Sequence, residues 1–152
     1  MIRFKLLLAA LMFALAPLSA NAEYSQRELS VALFYAAHIG DMRSVRDLVE
    51  RGANVNYLNG DRETPMHAAA GHGHLQVMQY LQSQRAYLHP RTIQNWTPLH
   101  HAVRFGHRHI ANFLLSNGAE INVRTRTGQT VFDMAKGTRD VPMQNLLRRY
   151  QR

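Results

Sequence analysis

Nine histidines and an arginine-rich half with a single tryptophan are the residues of this 152-residue chain that could do chemistry. His72-Gly73-His74 and His107-Arg108-His109 each set two imidazoles close together, as paired transition-metal ligands would be. Neither pair comes with a thiolate or with acids at an ordered spacing, so both are weak metal candidates and no metal site or other cofactor is expected. The chain has no cysteine, which excludes disulfides, thiolate metal sites and cysteine nucleophiles. It contains no glycine-rich phosphate loop and no nucleophile elbow. Nothing in it points to an enzyme.

The other available chemistry is recognition by charge. Lys+Arg number 18 against 10 Asp+Glu, a formal charge of +8, and the excess is uneven. Residues 23–84 carry five arginines and seven acids, whereas residues 85–152 carry eleven cations and three acids. Beyond residue 22 the only lysine is Lys136. Arginine pairs with carboxylates through a planar fork, so this balance fits an acidic protein surface. Nucleic acid is not an expected partner, because the N-terminal segment directs the chain away from it.

That segment begins Met1-Ile2-Arg3-Phe4-Lys5, continues as an apolar run from Leu6 to Leu18, and ends Ser19-Ala20-Asn21-Ala22. A cationic start, a short apolar core and a small-x-small end make a secretory signal, with cleavage expected after Ala22. The run would span roughly 20 Å as a helix, too short for a hydrocarbon core of about 30 Å. A secreted protein, acting in the periplasm or outside the cell and with no stable membrane anchor after cleavage, is therefore expected, the periplasm being the favoured place.

The elements that position these residues follow from a repeat. Thr64-Pro65-Met66-His67 returns as Thr97-Pro98-Leu99-His100 and, more weakly, as Thr130-Val131-Phe132-Asp133, at a spacing of 33 both times. Gly40, Gly73 and Gly106 share that period, as do Ala36, Ala69, Ala102 and Ala135, and Leu48, Leu81, Leu114 and Leu147. Ala53-Asn54-Val55-Asn56 matches Ala119-Glu120-Ile121-Asn122. In the unit starting at Thr97, the threonine can cap a helix and Pro98 suits the first helical position. Leu99, Ala102 and Val103 follow at helical spacing, Gly106 ends that helix, and Ile110, Ala111, Leu114 and Leu115 form a second stripe that Gly118 closes. One such unit buries little, so stacking must supply the core.

The pattern resembles the ankyrin repeat, with its T-P-L-H start, a G-H about nine residues on and a G-A-D-V-N end. The resemblance implies an all-α solenoid of about four stacked helix-turn-helix repeats, near residues 25–57, 58–90, 91–123 and 124–152, with β-hairpin-like finger loops. Residues 1–22 would be the signal and 23–152 the repeat domain, with degenerate first and last units acting as caps.

It also implies a binder of another protein, expected to act as a monomer, that works through finger tips and the exposed face of each first helix. By register these positions are Arg91, Ile93, Gln94, Trp96, Arg104 and Phe105 in the third unit. In the second they are Leu58, Gly60, Asp61, Glu63, Gly71 and His72, and in the last Arg124, Arg126, Thr127, Gln129, Gly137 and Thr138. Arg91, Ile93, Trp96, Arg104, Phe105, Arg124 and Arg126 are the expected partner contacts, facing an acidic, partly apolar surface. Trp and Arg are common interface anchors; the other reading folds Trp96 and Phe105 over neighbouring repeats as peripheral core. Arg85 stands where the repeat has glycine, which demands a left-handed residue or a different helix end. His67, His74, His100 and His107 occupy positions where the family uses histidine structurally. An alternative implied by small exported bacterial members is an accessory factor for an exported haem or metal enzyme, catalase-type and protective against oxidative stress, using the surplus histidines. Asn95-Trp96-Thr97 fits a glycosylation acceptor only by accident, since Thr97 is needed as a cap.

Overall fold

The computed structural model describes residues 24–151; the expected signal at residues 1–22 lies outside them. Among the described residues the chain forms eight helices: α1 Gln26–Ile39, α2 Met42–Glu50, α3 Pro65–Gly71, α4 Leu75–Ser83, α5 Pro98–Arg104, α6 Arg108–Ser116, α7 Val131–Gly137 and α8 Val141–Arg149. Inner helices α1, α3, α5 and α7 pack in succession, and each also packs on the outer helix that follows it. The result is four helix pairs in the 33-residue register, an all-α repeat fold.

Local chemistry explains each start. Thr64, Thr97 and Thr130 stand in extended backbone as N-caps, each in a reciprocal box with the third helical residue: His67, His100 and Asp133. Pro65 and Pro98 fill the first helical position, where no amide is needed. The first unit lacks threonine and uses Ser25 with Glu28.

The outer helices divide by position in the stack. Asp41 and Asp140, in the end units, accept hydrogen bonds from the first-turn amides of α2 and α8. His74 and His107 hold the same place in the middle units and make no cap bond. Their Nε2–H groups reach the preceding repeat instead, to His38 O at 3.1 Å and Gly71 O at 3.0 Å. Among the described residues no repeat precedes the first unit, so an ordinary cap is the better use of its residue 41.

The core runs the length of the stack. Leu33, Leu48, Met66, Met78, Leu81, Leu99, Ile110, Leu114, Met143 and Leu147 are fully buried. Each stabilises by roughly 1.5–3 kcal/mol relative to exposure, most of it won against a neighbouring helix rather than within one.

The fingers, expected to be hairpin-like, close as tight turns without paired strands. Among the described residues there is no strand. Each finger closes across a tight turn through two backbone bonds: Asn59 N to Glu63 O with Arg62 N to Asn59 O, Thr92 N to Trp96 O with Asn95 N to Thr92 O, and Thr125 N to Gln129 O with Gly128 N to Thr125 O, at 2.9–3.0 Å. Adjacent fingers are linked by one backbone bond at each junction, Ile93 N to Asp61 O and Arg126 N to Gln94 O, both 2.9 Å. One bond per junction is too little for a ladder. The turn needs a left-handed residue at Arg62 (φ 61°), Asn95 (φ 58°) and Gly128 (φ 81°), again 33 apart. Arg85 also takes the left-handed option, at φ 64°.

Candidate functional site

The fingers and inner helices carry the residues expected to meet a partner. Arg91, Arg104, Arg124 and Arg126 are exposed. Ile93 is 43% exposed at a finger tip, and Phe105, just past α5, is 58% exposed.

The arginines do not form one continuous cationic patch. Arg91 donates to Glu120 Oε2 at 3.1 Å and to Asn95 Oδ1 at 3.4 Å, so its charge is met within the chain. The pair is exposed and contributes little stability, but it removes Arg91 from the unpaired set. Arg124 spends one N–H on Gly128 O at 2.9 Å, a neutral acceptor. Arg104, Arg124 and Arg126 have no carboxylate at ion-pair distance among the described residues. Asn95 joins successive fingers by donating its Nδ2–H to Arg124 O at 2.6 Å. That bond occupies the amide of the Asn95-Trp96-Thr97 sequence, and Thr97 is buried against His100.

Trp96 is less exposed than a free anchor would be. It is half-buried and packs on the core. Its ring meets His101 edge-on at 5.3 Å and lies 6.1 Å from His100. Its carbonyl receives the Nε2–H of His67 at 3.2 Å. The indole packs as peripheral core while part of it stays exposed. Phe105 remains at the surface, with its ring edge beside Gly71.

A cluster not anticipated from sequence lies below Trp96. His101, on α5, stands between Trp96 and the ring of His67, 5.3 Å from each. Burial, then the nearby His72, lowers its pKa to about 4. The ring is therefore neutral at neutral pH, and its 3.7 Å approach to Glu63 Oε1 is a dipolar contact rather than an ion pair. Glu63 is positioned by Asn59, which donates to its Oε2 at 3.0 Å. His67 and His100 are wholly buried, and burial lowers their pKa to about 3 and about 4.

The two candidate metal pairs are used structurally. In His72/His74 and His107/His109 the ring centroids lie 6.2 and 6.1 Å apart. Three of the four rings cross to the preceding repeat: His74 to His38 O, His107 to Gly71 O, and His109 to Gly73 O at 3.0 Å. A nitrogen donating to a carbonyl is not available as a ligand, and the opposite edges of His74 and His107 press on Gly40 and Gly73.

Among the described residues no helix is long and apolar enough to cross a membrane. No curated protein matches the chain significantly. A family model of ankyrin repeats matches residues 33–125, in 3 copies. That span is over half of the chain, and it holds the C-terminal half of α1, all of α2, and the complete pairs α3–α4 and α5–α6. The chain belongs to the ankyrin-repeat family.

Proposed function

We propose that this protein is an exported, non-enzymatic binding module that works as a monomer in the periplasm. Ankyrin repeats are protein-interaction scaffolds, and the surface of repeats three and four here suits an acidic, partly apolar partner. The observation that carries this reading is the interleaving of exposed Ile93 and Phe105 with Arg104, Arg124 and Arg126, which have no carboxylate partner among the described residues. A cation left without an internal partner costs nothing while solvated and gains a charge-assisted bond when a carboxylate docks. Trp96 acts as the support beneath this surface, and Arg91 shapes the finger through Glu120.

The test is capture of a partner from periplasmic extract by the wild-type protein, followed by variants in a binding assay. Phe105→Ala should weaken binding by at least ~2 kcal/mol if the ring is a central anchor. Arg124→Ala and Arg126→Ala should slow association and flatten its salt dependence, because finger-tip charges sit at a wet rim. Unchanged capture by Phe105→Ala and by the two arginine variants would move the contact off this surface. The mature N-terminus at Glu23, read by mass spectrometry, tests export separately.

A further inference from the structure

We propose that the C-terminal end of the stack docks on a bilayer surface bearing anionic phospholipid, through the phosphates of the headgroups. In the third repeat, Val103 and Leu115 are buried, and Ser116 Oγ lies 3.0 Å from Tyr150 Oη of the next unit. A Cβ on Gly106 would lie 3.7 Å from Asp140, also of the next unit. One period on, the counterparts of these four residues are Lys136, Arg148, Arg149 and Arg139, all exposed. Positions that the next unit covers or approaches in the third repeat thus carry cations in the last. Among the described residues no unit follows to cover them.

Closing a stack requires polar residues at its end, but not residues of one sign. The first unit, at the opposite end, mixes Arg27, Glu28, Arg43, Asp47, Glu50 and Arg51, and Arg51 pairs with Asp47 at 3.4 Å. Residues 124–152 instead hold seven cations against Asp133 and Asp140. Asp133 is bound into the cap of α7 by Thr130, and Asp140 caps α8 and stands 3.5 Å from Arg108. Lys136 acts on Asp133, so its charge is partly met inside the unit. Among the described residues no carboxylate lies at ion-pair distance from Arg139, Arg148 or Arg149.

The chemistry of this end favours a lipid surface. Three of the four cations are arginines, whose planar fork takes phosphate oxygens two at a time. Two apolar side chains share the end. Val141 is 58% exposed, at the position from which Arg108 reaches Asp140 of the next unit. Phe132 is half-buried where its counterpart Leu99 is closed off. Cations around a few apolar groups suit the headgroup level of a bilayer, where the charges meet phosphate and the apolar groups leave water. Nucleic acid would meet the arginines but take nothing from Val141. The attachment is electrostatic and reversible, and it leaves the fingers of the preceding units open to a protein partner. It rests on the export proposed above only in that an exported chain meets such a bilayer.

The experiment floats the chain from Glu23 onward, which contains all eight helices, with phosphatidylcholine vesicles made with and without phosphatidylglycerol. Leaving out residues 1–22 keeps the apolar run from Leu6 to Leu18 from binding lipid itself. Binding should need phosphatidylglycerol and weaken as salt rises. Arg148→Gln/Arg149→Gln should weaken it at least ~10-fold. Arg27→Gln/Arg43→Gln removes the same charge from the other end and should change it less than ~3-fold. A Val141→Trp indole should shift its emission to shorter wavelength on phosphatidylglycerol vesicles, while the wild-type emission, which comes from Trp96 alone, stays where it is. Duplex DNA and polyglutamate offer no apolar phase and should not produce that shift. Absence of binding, equal binding to both vesicles, equal losses in the two double variants, or an indole shift as large with either polymer would each overturn the docking.

Discussion

Trp96 shows how an unusual residue can mislead when its register alone is known. The position one repeat earlier is Glu63 and one repeat later Gln129, so a tryptophan there reads as a departure made for binding. In the fold that departure has a structural use, because the indole covers the edge of His101 and leans on the core. Trp96→Ala should therefore lower stability by about 2 kcal/mol, less than a fully buried aromatic would cost. Phe105→Ala should change it by no more than ~0.5 kcal/mol, since that ring is mostly in water. Urea denaturation of the two variants separates the roles. Equal, small losses would return Trp96 to the surface and reopen it as an anchor.

At the scale of the element, much was readable in advance and the remainder had a common cause. Threonine caps, N1 prolines and apolar spacing are local signals, so α3, α5 and their outer partners follow from Thr64-Pro65 and Thr97-Pro98 directly. Contacts between repeats are not local. The His38–His72 meeting, the crossing of His107 to Gly71 O and the burial of Trp96 depend on how far one unit is rotated against the next, which no spacing within a unit records. The period still revealed where glycine is required, without the reason. Gly40 and Gly118 both have positive φ, at 79° and 84°, yet their surroundings differ. A Cβ on Gly40 would lie 2.5 Å from the His74 ring, which is held by its bond to His38 O; one on Gly118 would meet nothing within 4 Å. Gly118→Ala should cost only the left-handed penalty of about 1–2 kcal/mol. Gly40→Ala should cost that and also break the His74 contact, giving the larger fall in melting temperature. Equal shifts would mean that the histidine crossing adds nothing to the junction.

For the whole molecule, the buried His67 and His100 and the partly buried His101 make stability depend on pH in a predictable direction. His67, His100 and His101 lie on the adjacent inner helices α3 and α5, so they titrate within one continuous core. In the fold their pKa values are about 3, about 4 and about 4, lowered first by burial. The capping boxes act in the same sense, because Nδ1 of His67 and of His100 accepts a threonine N–H at 3.2 Å and loses that role when protonated. In the unfolded chain each ring titrates near 6.5. Below that pH the unfolded state therefore binds protons that the folded state refuses. The stabilisation is fully present above the unfolded value and is lost as pH falls toward the folded ones, at about 1.4 kcal/mol per pH unit for each ring. At pH 5 this amounts to roughly 2 kcal/mol per histidine, a large share of the ~5–15 kcal/mol that holds a typical domain. Carboxylates with lowered pKa, such as Asp41 held by Ser44, add their losses only in more acid solution. The urea midpoint should accordingly drop sharply between pH 7 and pH 5. His101→Gln, which keeps a polar side chain but cannot titrate, should remove about one ring's share of that slope. A midpoint that stays level across the interval would show that the folded rings take up protons as readily as the unfolded ones, and that burial does not lower their pKa.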